Sequence, residues 1–130
     1  LYARHGRDVP YAFNRKEIKG HGEGGQLVGA ELKGKVVIVD DVITAGTAIR
    51  EVMELLKDSP VEVTGVLVAI DRQERGKGNL SAIQEVKKEY GISVASVVRL
   101  NDLVDYLETT DQYDIEVELV RRYRKKYGTD

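Results

Sequence analysis

At 130 residues, 42% hydrophobic and 32% charged, the chain has the balance of one folded domain and not of a disordered segment. Its formal net charge of -2 offers no overall basic excess for nucleic acid, and no apolar run is long enough to cross a bilayer. Cysteine is absent, which excludes disulfides, thiolate nucleophiles and zinc–thiolate sites and suits a cytoplasmic location.

Leu1-Tyr2-Ala3 reads as the tail of an element that begins earlier, so the chain is expected to be part of a longer one. The first apolar run is Val9-Pro10-Tyr11-Ala12-Phe13. Residues 14–29 are charged and glycine-rich, holding five of the 13 glycines, and are expected to be a mobile segment. Val36-Val37-Ile38-Val39 is apolar at every position, the pattern of a parallel strand buried on both faces. A polar loop, Asp40 to Thr47, leads into a helix over about Thr47–Lys57, with Ile49, Val52, Met53 and Leu56 on one face. Val61–Ile70 reads as a second buried strand, followed by the polar loop Asp71–Gly78.

Ser81-Ala82-Ile83-Gln84 has the spacing of a capping box, predicting a helix to Tyr90 with Gly91 as its left-handed terminator. Ile92–Val98 is a further strand, and Asp102 is expected to cap a short helix through Leu107. A last helix over about Asp114–Tyr127 would carry Leu119, Tyr123 and Tyr127 on one stripe. Its basic end, Arg121-Arg122-Tyr123-Arg124-Lys125-Lys126, suits the negative pole of a helix and reads as a solvated terminus. The alternation of elements predicts a single α/β domain over residues 1–130, a mostly parallel central sheet flanked by helices in a Rossmann-like arrangement.

In open parallel sheets, ligands gather beyond the carboxyl ends of the strands. Two strands here end in polar residues, one in Asp40-Asp41 and the other in Asp71-Arg72. Adjacent acids at a strand tip are costly without donors to meet, and vicinal sugar hydroxyls supply such a pair. Thr44-Ala45-Gly46-Thr47 then runs into a helix start. Small residues there permit close approach, and the first helical amides attract an anion such as a phosphate. The same residues also fit a generic α/β turn with solvated acids.

Val39-Asp40-Asp41-Val42-Ile43-Thr44-Ala45-Gly46-Thr47-Ala48 resembles the donor-binding motif of type I phosphoribosyltransferases. The resemblance implies a type I phosphoribosyltransferase fold and transfer of ribose 5-phosphate from phosphoribosyl pyrophosphate. It implies that Asp40 and Asp41 meet the ribose hydroxyls, with Asp41 among the catalytic residues. Val42, Ile43, Thr44, Ala45, Gly46, Thr47 and Ala48 would complete the donor site. Magnesium is implied as cofactor, held mainly through the donor substrate and not by direct protein ligands.

Asn14-Arg15-Lys16-Glu17-Ile18-Lys19-Gly20-His21-Gly22-Glu23-Gly24-Gly25 mixes cations with glycines. By composition it fits a solvated surface loop equally well. With Phe13 before it and Leu27-Val28-Gly29 after it, the string is similar to the catalytic lid of orotate phosphoribosyltransferases. On that resemblance Arg15, Lys16, Lys19 and His21 bind the pyrophosphate, Lys19 and His21 being catalytic. The lid would close over a neighbouring subunit, implying a homodimer with shared sites. Asp71-Arg72-Gln73-Glu74-Arg75-Gly76 and Ser81–Val86 extend the similarity. They imply that Arg72 contacts orotate together with Thr44, although Arg72 alone equally suits an ion pair with Asp71 or Glu74.

The implied reaction gives orotidine 5-phosphate and pyrophosphate in the making of UMP. The family's N-terminal hood, an earlier core strand and a short pyrophosphate-binding loop have no counterpart in this sequence. Two other readings stay open: a non-catalytic regulator binding the donor or a nucleotide, and an assembly module that keeps only the fold.

Overall fold

A computed structural model of the chain describes residues 1–15 and 27–129. The elements run α1 (Tyr2–His5), β1 (Ala12–Asn14), β2 (Leu27–Gly29), β3 (Gly34–Ile43), α2 (Thr47–Leu56), β4 (Val61–Asp71), α3 (Ala82–Tyr90), β5 (Ser93–Arg99), α4 (Leu100–Leu107) and α5 (Asp114–Tyr127), with a 3₁₀ turn at Asp111–Tyr113.

β3, β4 and β5 form a parallel sheet in that order. β1 and β2 make a separate antiparallel pair, Ala12 opposite Gly29 and Asn14 opposite Leu27. The segment expected to be a loop over 14–29 is thus paired strand at both ends. At Gly29, φ is +126°, and a Cβ would overlap the Tyr11 carbonyl. Only glycine closes this pair without displacing β1. Lys16, Lys19 and His21 lie outside the described residues.

The expected strand Val36–Val39 is too short. β3 continues through Asp40, Asp41 and Val42 to Ile43, because its ladder to β4 persists: Asp40 pairs with Val68, Val42 with Ile70 and Ile43 with Asp71. A bulge between Val36 and Val37 skips Thr64, whose hydroxyl donates to the Val36 carbonyl at 3.1 Å.

The core lies on one side of this sheet. Ile38, Ile43, Val66 and Val68 pack with Ile49 of α2 and Ala82 and Val86 of α3. α2 contributes the predicted stripe, Ile49 and Leu56 buried with Val52 and Met53 partly so. The opposite face is open among the described residues: Val37 is 57% exposed, Val39 72% and Val97 71%. Burial on both faces, the expectation from the apolar run, is therefore not what these residues show. Side chains alternate along a strand, and helices cover only one set.

Local signals place the helices. Ser81 accepts from the Gln84 amide at 3.2 Å, and the Gln84 side chain accepts from the Ser81 amide at 2.8 Å. Gly91 ends α3 in the left-handed region at φ 67°. α4 starts earlier than expected, because Asp102 is its third residue and not its cap. The Asp102 carboxylate reaches back to the Arg99 amide at 2.9 Å and to the Arg99 guanidinium at 2.8 Å. In α5 the buried residue is Val117, whereas Leu119, expected on the packed stripe, is 58% exposed.

These placements set three expected outcomes, all readable by chemical denaturation. Ile49→Ala should lower stability by about 2–5 kcal/mol, whereas Leu119→Ala should change it by less than about 0.5 kcal/mol. Ser81→Ala removes one half of the reciprocal cap and should cost about 1 kcal/mol.

Candidate functional site

Because β3 and β4 are parallel and Ile43 pairs with Asp71, both strands leave the sheet at the same edge. The turn Thr44–Gly46 and the segment from Arg72 therefore start side by side. Along β3 the acids fall on opposite sides of the sheet. Asp40 is half-buried on the helix-covered side with Ile38, while Asp41 is exposed on the side of Val37 and Val39. The Asp41 amide donates to the Asp40 carboxylate at 2.9 Å, and the Val42 amide to the Asp41 carboxylate at 2.6 Å. Each acid thus holds one local backbone donor and keeps further acceptor capacity.

Beyond Ile43 the chain turns through Thr44 and Ala45 to Gly46, whose φ of 71° and ψ of 13° put it in the left-handed region. A side chain there would be strained, and its Cβ would stand 3.0 Å from the Arg50 guanidinium and 3.1 Å from Val86. Among the described residues no side chain caps the start of α2, and its first turn carries no acid. Those amides stand at the positive end of the helix, where negative charge is favoured. Thr44, Thr47 and Ala48 are exposed around it, Ala45 and Val42 half-buried. Ile43 is 4% exposed and belongs to the core, so its side chain is turned away from solvent.

Sequence reasoning missed what holds this turn. Arg50 sends Nη1 to the Ala45 carbonyl at 2.5 Å, Nε to Glu89 at 2.8 Å and Nη2 to Glu85 at 3.4 Å. Glu85 also accepts the Gly78 amide at 2.8 Å. The Arg50 guanidinium is raised above its ordinary range, by Glu89 first and then, against some desolvation, by Glu85. The amides of Lys77 and Gly78, followed by Arg50, hold the Glu85 carboxyl below the usual glutamate value. A helix-spaced pattern reports which face is apolar and gives no sign of a partner on another helix.

The second loop is pinned from three directions. Asp71 accepts the Gln73 amide at 2.8 Å, and Gln73 takes a left-handed φ of 55°. The Gln73 side chain accepts the Asn101 amide at 3.0 Å, and its carbonyl accepts from Thr129 at 3.0 Å. Arg75 donates its amide to the Tyr127 carbonyl and its Nε to the Gly128 carbonyl. Arg72 pairs with Glu74 at 2.6 Å, the ion pair that its sequence neighbourhood allowed, and the Tyr123 hydroxyl donates to the same carboxylate oxygen. The Arg72 Nε is buried with no protein partner among the described residues. Glu74 raises the Arg72 guanidinium, with desolvation opposing, and raises the Tyr123 hydroxyl, with burial adding to the effect.

Arg15 stands just beyond β1 and is exposed, in the sheet separate from the one that carries Asp40 and Asp41. A groove lined by residues 27–32 with Ser59 and Pro60 lies at the amino ends of β3 and β4, away from these loops. Asp40, Asp41, Thr44 and Arg72 lie instead toward the carboxyl ends of β3 and β4.

Comparisons with known proteins identify the family. Residues 2–93 match the family model described as the phosphoribosyl transferase domain. Orotate phosphoribosyltransferases of Vibrio cholerae and Photobacterium profundum are 59% and 58% identical to the chain over 128 residues, covering 98% of it. The chain spans 60% of the length of each of these relatives. The crystal structure of orotate phosphoribosyltransferase from Francisella tularensis superposes with a TM-score of 0.79 at 34% identity, covering 99% of this chain and 61% of that one. UMP synthase of Leishmania donovani follows with a TM-score of 0.66 at 27% identity, over 91% of this chain and 24% of that one. A parallel sheet whose strand β3 carries paired acids near its carboxyl end and leads to an open helix start, matched by the family model over most of the chain, makes this chain a member of the phosphoribosyl transferase domain family.

Proposed function

We propose that the chain carries the donor-binding half of an orotate phosphoribosyltransferase, which moves ribose 5-phosphate from phosphoribosyl pyrophosphate to orotate. The observation that carries this reading is the start of α2: a left-handed Gly46 opens a helix without a side-chain cap three residues past the end of β3. That place suits the 5-phosphate, which the first amides of α2 and the hydroxyls of Thr44 and Thr47 can meet as donors. Asp40 and Asp41 would take the ribose hydroxyls, and their local backbone bonds hold them in place for it. The high identity to relatives named orotate phosphoribosyltransferase supports orotate as the acceptor.

In this reading the reaction is nucleophilic attack by an orotate nitrogen at the anomeric carbon, with pyrophosphate leaving. The protein contributes orientation and charge stabilisation and forms no covalent intermediate. Thr44 and Arg72 would receive orotate at the end of β4, the arginine pairing with its carboxylate. Arg15, Lys16, Lys19 and His21 would close over the pyrophosphate as a lid shared between the subunits of a homodimer, with Lys19, His21 and Asp41 closest to the chemistry. A cytoplasmic location accompanies that role in pyrimidine synthesis.

Magnesium would be held mainly through the donor, since Asp40 and Asp41 occupy opposite sides of a strand. When bound, the ion would offset pyrophosphate charge while the side chains fix the sugar.

Isothermal calorimetry with phosphoribosyl pyrophosphate and magnesium, paired with an assay for orotate-dependent pyrophosphate release, tests the proposal. Binding with release supports the transferase, and binding without release supports a regulator. Absence of both leaves only the shared fold. Asp40→Asn and Asp41→Asn should each weaken donor binding by about 1.5–3 kcal/mol, roughly ten- to a hundredfold in Kd. Arg72→Ala should weaken orotate by a similar amount and leave donor affinity unchanged.

A further inference from the structure

Arg50 connects the turn after β3 with α3 directly, and with the loop after β4 through Glu85. Its guanidinium donates to the Ala45 carbonyl at 2.5 Å, inside the turn, and to Glu85 and Glu89 on α3. Glu85 in turn holds the Gly78 amide at 2.8 Å and packs against Gly76, where a Cβ would overlap its carboxylate. Arg50 and Glu85 are shielded, whereas Glu89 is 43% exposed. The Arg50 and Glu85 side chains are 20% and 14% exposed, against 66% and 75% for the surface pair Lys57–Glu54. Shielding matters because exposed ion pairs fix geometry weakly.

The bond to Ala45 has a directional consequence. The described chain has no cis peptide, and in a planar trans peptide the carbonyl and the following amide point in opposite directions. With the Ala45 oxygen bonded to Arg50, the N–H of the buried Gly46 points the other way, away from that guanidinium and beside the uncapped start of α2. Gly46 makes this possible in two ways: it accepts the left-handed turn, and it leaves the space that the guanidinium fills.

We propose that Arg50 is a positioning residue for the donor site: through Ala45 it aims the Gly46 amide at the phosphate, and through Glu85 it ties that turn to the loop bearing Arg72. The two ligand-facing segments then keep their spacing as a unit. The inference rests on reading residues 44–47 as the donor turn. An arginine is required, because three partners in different directions need the planar fork, and a lysine offers only a point charge. The directions of the shifts at Arg50 and Glu85 agree with a mutually stabilised pair.

The test uses the whole 130-residue chain and three readouts: thermal melting, amide hydrogen exchange over residues 44–48 and 76–80, and calorimetry with phosphoribosyl pyrophosphate and magnesium. Arg50→Ala should speed exchange in both segments while residues 52–56 of α2 keep their protection. It should weaken donor binding on the order of tenfold to a hundredfold. Arg50→Lys should recover the melting temperature but not the donor affinity. Glu85→Gln should speed exchange at 76–80 and at 44–48, and combining it with Arg50→Ala should add nothing beyond Arg50→Ala alone. A lowered melting temperature with unchanged exchange at 44–48 and unchanged affinity would overturn the proposal, as would full recovery of affinity by Arg50→Lys or additive effects of the two substitutions. If Arg50→Ala does not fold, Arg50→Lys and Glu85→Gln decide by the same criteria. If the unsubstituted chain binds no donor, the reading of the turn fails, and exchange at 76–80 in Arg50→Ala still decides whether the tie exists.

Discussion

The parallel pairing of β3 with β4, carried as far as Ile43 opposite Asp71, is the constraint on which the rest of the molecule depends. Parallel strands deliver their carboxyl ends to one edge, so the Thr44–Gly46 turn and the Arg72 loop emerge next to each other without any contact between their side chains being needed to bring them there. β5 continues the same logic, Asp71 standing opposite Arg99. The start of α4, clamped by Arg99 and Asp102, then supplies the Asn101 amide that donates to the Gln73 side chain. The sheet thus sets which segments are neighbours, and side-chain bonds set how each one is oriented.

Only one face of that sheet is sealed by helices among the described residues. Ile38, Val66 and Val68 meet Ile49 and Val86 on the closed side, while Val37, Val39 and Val97 face outward. Since burial of apolar area is the main favourable term, the closed side carries most of the holding energy of this half-layer. The same face contains Val86, which lies against Gly46, so the packing that stabilises the core also supports the turn at the candidate site.

Elements with local signatures were legible in the sequence. The Ser81–Gln84 reciprocal cap and the Gly91 terminator work through residues three or fewer positions apart or a single backbone angle, and the structure has both. The span of α5 was legible too, yet its packed residue was not. Spacing allows Val117 or Leu119 to face inward, and only the neighbours of α5 select Val117. Asp40 and Asp41 looked like the start of a loop because polarity ends an apolar run. The ladder to Val68 and Ile70 extends β3 past them, and ladder bonds belong to the partner strand. The apolar run Val36–Val39 records what a strand can bury, whereas exposure depends on what covers it. The site's supporting contacts were invisible for the same reason: Arg50 with Glu85 and Glu89, and Tyr123 with Glu74, join residues 35, 39 and 49 positions apart.

The Arg72–Glu74 pair illustrates why a structural contact and a ligand contact need not compete. Read from sequence, an arginine beside two acids offered two alternatives, an ion pair or a base-binding group. In the structure Glu74 takes one Nη of the guanidinium and at the same time accepts the Tyr123 hydroxyl from α5. Held by Tyr123 as well, that carboxylate anchors the end of the guanidinium that leans on it. Arginine has five N–H donors, and one bond to Glu74 leaves others for a planar, negatively charged ligand. The side chain is 40% exposed, which leaves part of it open to solvent at the carboxyl edge. In the proposed reaction the ion pair would therefore act before orotate arrives, presenting the guanidinium in a set orientation so that little side-chain entropy is lost on binding.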